Sequence, residues 1–209
     1  MPVPKASAVR VLAAALLTVV CVASAGAQAA LPMPQIWTGR MQVPAGVEPG
    51  ETGDTFELRI FRASTDVEAA GLVTALKAGG QTALRNAMYQ LPARGWIKIG
   101  NLAATDVVFV RVVDLPDGRR RVRLYSDHAL RLYDKSDPAG STAHPFAYLE
   151  LFADASGKGS GSLVASASLA ADADELQMES AGLPVIEIYN VTTDRPPAAP
   201  KPQAPPATP

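Results

Sequence analysis

The sequence predicts an α+β domain built mainly from antiparallel β-strands, arranged as a curved sheet or an open barrel with one inserted helical hairpin. Two observations lead to this prediction. Short segments in which apolar and polar residues alternate dominate residues 55–193, and hairpin-length loops separate most of them. Only one stretch with helical spacing interrupts them. Strands and helices therefore do not alternate as they would in an α/β fold.

The N-terminal segment 1–29 has the three parts of a cleavable secretory signal peptide. Two basic residues give it a positive start, residues 11–23 are almost entirely apolar, and small residues follow. Cleavage after Ala27 or after Ala29 fits equally well. The apolar run is shorter than the ~20 residues that span a bilayer. We therefore expect a periplasmic or secreted bacterial protein with no stable membrane insertion after cleavage.

Composition narrows the functions that the mature chain can have. The only cysteine, Cys21, lies within the leader, so we expect no disulfide, no thiol chemistry and no cysteine-bound zinc after cleavage. Loss of Lys5 and Arg10 reduces the 19 basic residues to 17, against 20 acidic residues, for a net charge of −3. Nucleic-acid binding depends mainly on clustered positive charge, so nucleic acid is not an expected partner.

After the leader, about 160 residues remain before the C-terminal tail, which is enough to bury the core of one domain. Residues 30–54 are rich in proline and glycine and predict an irregular, loosely attached segment with one strand-like piece at 36–43. The single α+β domain is expected at 55–193. The tail, 194–209, is expected to be disordered because its many prolines exclude helix and sheet hydrogen bonding.

The helical hairpin is predicted directly after the first strand of the domain. Thr65 and Glu68 stand three residues apart as a capping box, and apolar residues follow at helical spacing. Gly79-Gly80 supplies a stop for this first helix. Apolar residues at helical spacing in 84–91 predict a second helix, which a proline ends.

The strands are recognised by alternation and by their β-branched and aromatic residues. Glycine, proline and aspartate mark the clearest turns between them. We predict strands at 55–61, 96–99, 107–114, 119–125, 129–133, 146–152, 163–169, 175–179 and 185–191.

The loop of Pro116, Asp117 and Gly118 predicts the register of one hairpin. A three-residue loop with Gly118 in the left-handed conformation places Leu115 opposite Arg119. Apolar residues then share the side that faces the core, while arginines share the other side. The pairs on the core side are Val112 with Val122 and Val110 with Leu124; the others are Asp114 with Arg120, Phe109 with Tyr125, Val113 with Arg121, and Arg111 with Arg123.

Arginines that face each other repel, so the pair of Arg111 and Arg123 requires an anion nearby. A carboxylate from a neighbouring strand is the simpler source, because arginines on the solvated face of a sheet are ordinary. A bound ligand is the other source, which makes Arg111, Arg121 and Arg123 the candidate anion-binding or ligand-binding residues. The candidate carboxylates are Glu57, Glu150 and Glu187.

The other polar clusters match no motif, and we predict no catalytic residue, no metal and no cofactor. His128 and His144 lie in a polar stretch with three aspartates, at a spacing that fits no ligand pattern. The glycine-rich segment 157–161 has glycine where a nucleophile elbow needs serine. It also lacks the Gly-Lys-Ser/Thr ending of a phosphate-binding loop.

The chain carries GWIKI at 95–99, DGRR at 117–120 and GKGSGSL at 157–163. Together these stretches resemble a family of small exported bacterial proteins without an assigned activity. The resemblance covers residues 55–193. It implies a periplasmic or secreted bacterial protein and supplies no functional residues.

We expect a non-enzymatic periplasmic domain that binds a small ligand or another envelope component, such as an envelope protein, on or inside its sheet. Two alternatives stay open. One is a periplasmic hydrolase-type enzyme that uses carboxylates or His128, which a deep pocket containing perturbed acids or that histidine would favour. The other is a structural interaction module whose proline-rich tail contacts a partner.

Overall fold

Ten β-strands form one antiparallel sheet in the part of the chain that the structure describes, and one helix packs against it. This computed structural model describes residues 33–42, 53–130, 132, 143–182 and 184–197. In chain order the elements are β1 Gln35–Gln42, β2 Thr55–Ile60, α1 Asp66–Tyr89, β3 Gly95–Ile99, β4 Thr105–Val107, β5 Phe109–Asp114, β6 Arg120–Tyr125, β7 Phe146–Ala153, β8 Lys158–Asp172, β9 Glu175–Ala181 and β10 Ile186–Thr193.

The sheet curves into a nearly closed barrel, which confirms the predicted fold class. Neighbouring strands follow the order β4-β3-β2-β1-β10-β8-β7-β6-β5, and β9 pairs with the last residues of β8. The strands at the two ends of this order, β4 and β5, are separated in the chain by Val108 alone. The chain itself therefore joins the two edges of the sheet, and the inner face becomes an enclosed core.

Alternate residues of the strands fill the inside of the barrel. Val122 of β6 lies opposite Val112 on β5 and opposite Leu151 on β7, and all three side chains are buried. Trp37 of β1 lies opposite Leu58 of β2, and both are completely buried. Other completely buried side chains on this inner face are Ile60, Leu149, Leu163, Ile186 and Val191.

Part of the outer face is also buried, because α1 covers it. Phe109, Tyr125 and Tyr148 stand there side by side, with successive ring centroids 5.6 Å and 5.3 Å apart. Burial on both faces explains why the first four residues of β7, 146–149, are all buried and show no alternation. The helix contributes Leu72, Val73, Leu84 and Met88 to this outer core.

The two predicted helices are halves of one kinked helix, which replaces the predicted helical hairpin. The helix begins at the predicted capping box, in which Thr65 Oγ1 accepts from Glu68 N at 3.2 Å and Glu68 Oε2 accepts from Thr65 N at 2.8 Å. Helical geometry fails at Gly79 and at Gly80, whose φ of 65° suits glycine. The glycines interrupt the helix without ending it, and Leu84 beyond them is again completely buried.

The predicted register of the β5–β6 hairpin is confirmed at each pair. Gly118 has a φ of 80°, and Leu115 N donates to Arg119 O at 2.7 Å across the loop. Asp114 and Arg120 form an ion pair with 2.7 Å between Oδ1 and Nε. Because side chains alternate along a strand, this register also places the three candidate arginines on the outer face.

Two of the predicted strands differ in the structure. The strand predicted at 107–114 divides at Val108, where the chain passes from β4 to β5. The strand predicted at 129–133 does not form in its described part, residues 129, 130 and 132. Leu130 N instead makes a single hydrogen bond to Ala165 O, at 2.7 Å. The alternation there reflects side chains that pack onto the end of the barrel, not a strand of the sheet.

The expectation that residues 30–54 attach loosely is corrected by β1. This strand, which matches the strand-like piece expected at 36–43, lies between β2 and β10 within the sheet. Gln35 and Trp37 in it are completely buried. The prolines that predict an irregular segment lie on both sides of the strand, and residues 43–52 are outside the described part of the chain.

The two predicted terminal segments lie largely outside the described residues. These exclude all of the signal peptide, 1–29, and residues 198–209 of the predicted tail. The first tail residues, 194–197, are held against the sheet, since Arg195 O accepts from the buried Arg120 guanidinium at 2.8 Å. Within the described residues, no helix is both long enough and apolar enough to cross a membrane.

The close approach of β7 and β8 makes a testable prediction at Gly159. A Cβ at this position would overlap the backbone carbonyl oxygen of Phe152, which cannot move without shifting β7. We expect Gly159→Ala to lower the free energy of unfolding by about 1–3 kcal/mol, measured by urea denaturation. Gly71→Ala is the control, because a Cβ there meets no atom within 4 Å and alanine favours helix. Equal stability of the two variants would contradict the prediction.

Candidate functional site

The three candidate arginines line one shallow pocket on the outer face of the sheet, which we call the arginine pocket. Arg111 of β5 lies directly opposite Arg123 of β6, and Arg121 stands two residues before Arg123 on the same face. Ala69 of α1 and Glu175 of β9 also line this pocket. The cavity volume is about 10 Å³, room for about one water molecule.

Carboxylates of the protein itself offset the repulsion between the paired arginines. Arg123 Nε donates to Glu150 Oε1 at 2.7 Å, and its Nη1 lies 3.4 Å from Glu175 Oε2. Arg111 Nη1 donates to Asp66 Oδ1 at 2.7 Å, at the start of α1. The simpler of the two sequence-based explanations, a neighbouring carboxylate, is therefore present at both arginines.

Only one of the three candidate carboxylates is involved. Glu150 lies opposite Arg123 in the β6–β7 register. Glu57 lies opposite Lys98, and Glu187 lies opposite Ser162, on strands at a distance from the arginines in the sheet order. Asp66 and Glu175 are not among the carboxylates predicted from the sequence, because 45 and 52 residues separate them from their arginine partners. The acidic first turn of α1 was the available signal for Asp66.

The ionisation of the pocket is stable near neutral pH. Burial is the largest single influence on Arg123 and lowers its pKa, but the hydrogen bond to Glu150 and the charge interactions with Tyr148, Glu150 and Tyr125 together raise the pKa of the guanidinium overall. Burial raises the pKa of Tyr148 to about 12 and also raises that of Tyr125. The Tyr125 hydroxyl donates to Leu176 O at 2.7 Å. Arg123 therefore stays charged near neutral pH, and Tyr125 beside it in the pocket stays neutral.

Arg121 differs from its two neighbours in the arginine pocket. In register it lies opposite Val113 and Phe152, which carry no charge. Among the described residues it forms no ion pair with a carboxylate. It is therefore the arginine whose charge is available to a partner or ligand.

The two histidines do not form a metal centre with the described residues. His128 Nδ1 lies 2.7 Å from Asp127 Oδ1, while His144 packs against Gly182. In the described ranges, no three histidine, cysteine, aspartate or glutamate side chains are grouped so that they could hold a metal. The other two aspartates of this stretch, Asp134 and Asp137, lie outside those ranges.

A second and much larger cavity, of about 270 Å³, lies at one end of the barrel. We call it the end cavity. Its walls come from β3, the turn after β3, the first residue of β4 and the segment that follows β6. Sequence reasoning did not find it. It is lined by Ile97, Ile99, Leu102, Ala103, Thr105, His128, Ala129, Leu130 and Leu132.

The segment after β6 closes over the barrel end because backbone hydrogen bonds fix it there. Ser126 N donates to Ala147 O at 3.2 Å, and Leu130 N donates to Ala165 O at 2.7 Å. The Ser126 hydroxyl accepts from Ala147 N at 3.3 Å and donates to the His128 carbonyl. Leu130 and Leu132 are buried as a result. In the sequence, the alternation that includes these two leucines predicts a strand at 129–133.

Comparisons with protein families, with curated proteins and with solved structures found no match for this chain. Function therefore has to be inferred from the two pockets themselves. The arginine pocket offers charge but almost no volume, whereas the end cavity offers volume and an apolar lining. Geometry favours the end cavity for a small molecule.

The arginine pocket makes a testable prediction about stability. We expect Arg123→Gln to lower the free energy of unfolding by about 1–3 kcal/mol, because Glu150, with its side chain only 21% exposed, loses its ionic partner. Arg121→Gln is the matched control on the same strand and should change stability by less than about 0.5 kcal/mol. Urea denaturation of both variants measures the difference, and equal effects would contradict a structural role for Arg123.

Anion binding by Arg111, Arg121 and Arg123 stays a prediction, and sulfate tests it. If the cluster binds an anion, sulfate should raise the melting temperature of the native protein more than that of the Arg111→Gln/Arg121→Gln/Arg123→Gln triple variant. An equal rise in both proteins would indicate general salt stabilisation and would remove the arginine pocket as a binding site.

Proposed function

We propose that the mature protein is an exported, non-enzymatic binding domain that holds a small, mainly apolar molecule in the end cavity. The main support is the cavity of about 270 Å³, in which seven of the nine lining residues are apolar. At the packing density of a protein interior, this volume accommodates about ten to fifteen non-hydrogen atoms. That is the size of a molecule with two fused rings or of a medium-length hydrocarbon chain.

The apolar lining favours an apolar ligand. Ile97 and Ile99 belong to the inner face of the barrel and line the cavity together with three leucines. A ligand that packs against these side chains removes its own apolar surface and theirs from water, and this burial favours binding.

The polar groups at the cavity favour binding over catalysis. Only His128 and Thr105 among the lining residues carry side-chain hydrogen-bonding atoms. A hydrolase would need a nucleophile within reach of the imidazole. The nearest serine in sequence, Ser126, has its hydroxyl engaged with the backbone of Ala147 and His128. The Asp127–His128 contact is the observation that keeps the hydrolase alternative open.

Export is the second part of the proposal, and it is inferred from the leader sequence 1–29. The resemblance of residues 55–193 to small exported bacterial proteins agrees with it. A periplasmic or secreted domain with an apolar cavity is suited to holding a poorly soluble molecule outside the cytoplasm. Nucleic acid is not part of this proposal.

The end cavity predicts binding of naphthalene, whose ten carbon atoms match its volume. We expect the mature protein to bind naphthalene, measured by titration calorimetry, and Ala103→Phe to weaken binding at least tenfold by placing a ring in the cavity. Ala104→Phe is the matched control, because Ala104 is the next residue, is exposed as Ala103 is, and does not line the cavity. Absence of naphthalene binding, or equal effects of both variants, would refute the proposal.

Export predicts a defined N-terminus. When the full chain is expressed in a bacterium, we expect N-terminal sequencing of the periplasmic or secreted protein to begin at Gln28 or Ala30. Replacing Leu16 and Leu17 with arginine should keep the protein uncleaved in the cytoplasm, because the apolar run is interrupted. Recovery of an intact N-terminus in the exported fraction would contradict cleavage.

A further inference from the structure

We propose that the molecule held in the end cavity carries a hydroxyl group, which hydrogen-bonds to His128, on an otherwise apolar body. The inference rests on the proposed function and adds the chemical class of the ligand. Its basis is the placement of one oriented imidazole and one threonine hydroxyl in a lining that is otherwise apolar. A few polar groups in an apolar pocket usually set the orientation and selectivity of the ligand.

One ring nitrogen of His128 already has a hydrogen-bond partner. Its Nδ1 lies 2.7 Å from Asp127 Oδ1, and the Asp127 side chain is only 17% exposed. This contact holds the ring and fixes a proton on Nδ1. Nε2 has no hydrogen-bond partner among the residues that the structure describes. The ring therefore offers one nitrogen to a ligand.

Whether Nε2 accepts or donates a hydrogen bond depends on the charge of the ring. A ligand hydroxyl can bond to Nε2 of either the neutral or the protonated ring. With Nδ1–H donated to Asp127, a neutral ring has an acceptor at Nε2, to which a ligand hydroxyl can donate. A protonated ring has a donor at Nε2, from which the same hydroxyl oxygen can accept. A purely donating or purely accepting group would match only one of these states.

Charge argues against a carboxylate in the same place. Asp127 already provides one negative charge at hydrogen-bond distance from the imidazole. A ligand carboxylate would meet this charge across a single ring, and like charges repel at that separation. A neutral hydroxyl avoids the repulsion and retains the hydrogen bond.

Thr105 provides a second polar point in the lining. It lies opposite Ile97 in the β3–β4 register and therefore shares the inner face of the barrel with that residue. Its hydroxyl has no hydrogen-bond partner within the described ranges. Like the imidazole, a threonine hydroxyl both donates and accepts, which again matches a neutral hydroxyl on the ligand.

Three probes of nearly equal size test the inference: naphthalene, 2-naphthol and 2-naphthoate. By titration calorimetry on the mature protein, we expect 2-naphthol to bind about tenfold more tightly than naphthalene, and 2-naphthoate to bind more weakly than 2-naphthol. His128→Phe should abolish the preference for 2-naphthol while naphthalene still binds. His128→Gln, which can still donate and accept, should keep part of the preference.

The possible results separate this inference from the proposed function. If naphthalene and 2-naphthol bind equally, or if His128→Phe leaves the preference unchanged, the hydroxyl inference is overturned while the cavity remains a binding site. Tightest binding of 2-naphthoate would overturn it in favour of an acidic ligand. If none of the three probes binds, the proposed function itself fails. Naphthalene binding by His128→Phe shows in the same experiment that the variant is folded.

Discussion

The fold depends on closing the sheet where β4 meets β5, because only a closed sheet can bury its long apolar inner face. Contacts on both sides of this junction tie it to the start of the helix. On the β4 side, Arg94 N donates to Val107 O at 2.7 Å, and the buried Arg94 guanidinium forms an ion pair with Glu68, which also completes the capping box of α1. On the β5 side, Ser64 N donates to Val110 O at 2.7 Å.

The helix divides the outer face into a covered region and an open region. Where α1 lies over the sheet, Phe109, Tyr125 and Tyr148 are buried. Beside the start of the helix, the same face carries the arginines, and carboxylates from three different elements pair with Arg111 and Arg123. The end cavity does not depend on the helix. It forms at the end of the inner face, where the segment after β6 crosses the end of the barrel. Charge and apolar volume therefore lie in separate places, and the site proposed for a small apolar molecule does not include the arginines.

Sequence reasoning succeeded where the controlling interactions are local. The residues Pro116 to Gly118 determine a turn, the turn determines a register, and the register places Arg111 opposite Arg123. The capping box at Thr65 is likewise confirmed. Sequence reasoning failed for the carboxylates Asp66 and Glu175 and for the end cavity. These contacts and this cavity depend on which distant elements become neighbours. The alternation of side chains along a strand does not predict which strands it pairs with.

Sequence by itself determined the class of the fold, the alternating faces of most strands, the start of the helix and the register of one hairpin. These features follow from side-chain period, capping and turn geometry, all of which act within a few residues. Tertiary structure alone decided that β1 lies between β2 and β10 and that Gly79 and Gly80 interrupt a helix without ending it. It also decided that Leu130 and Leu132 line a cavity. Each of these is settled by burial against residues far away in the chain, where packing energy outweighs local preference.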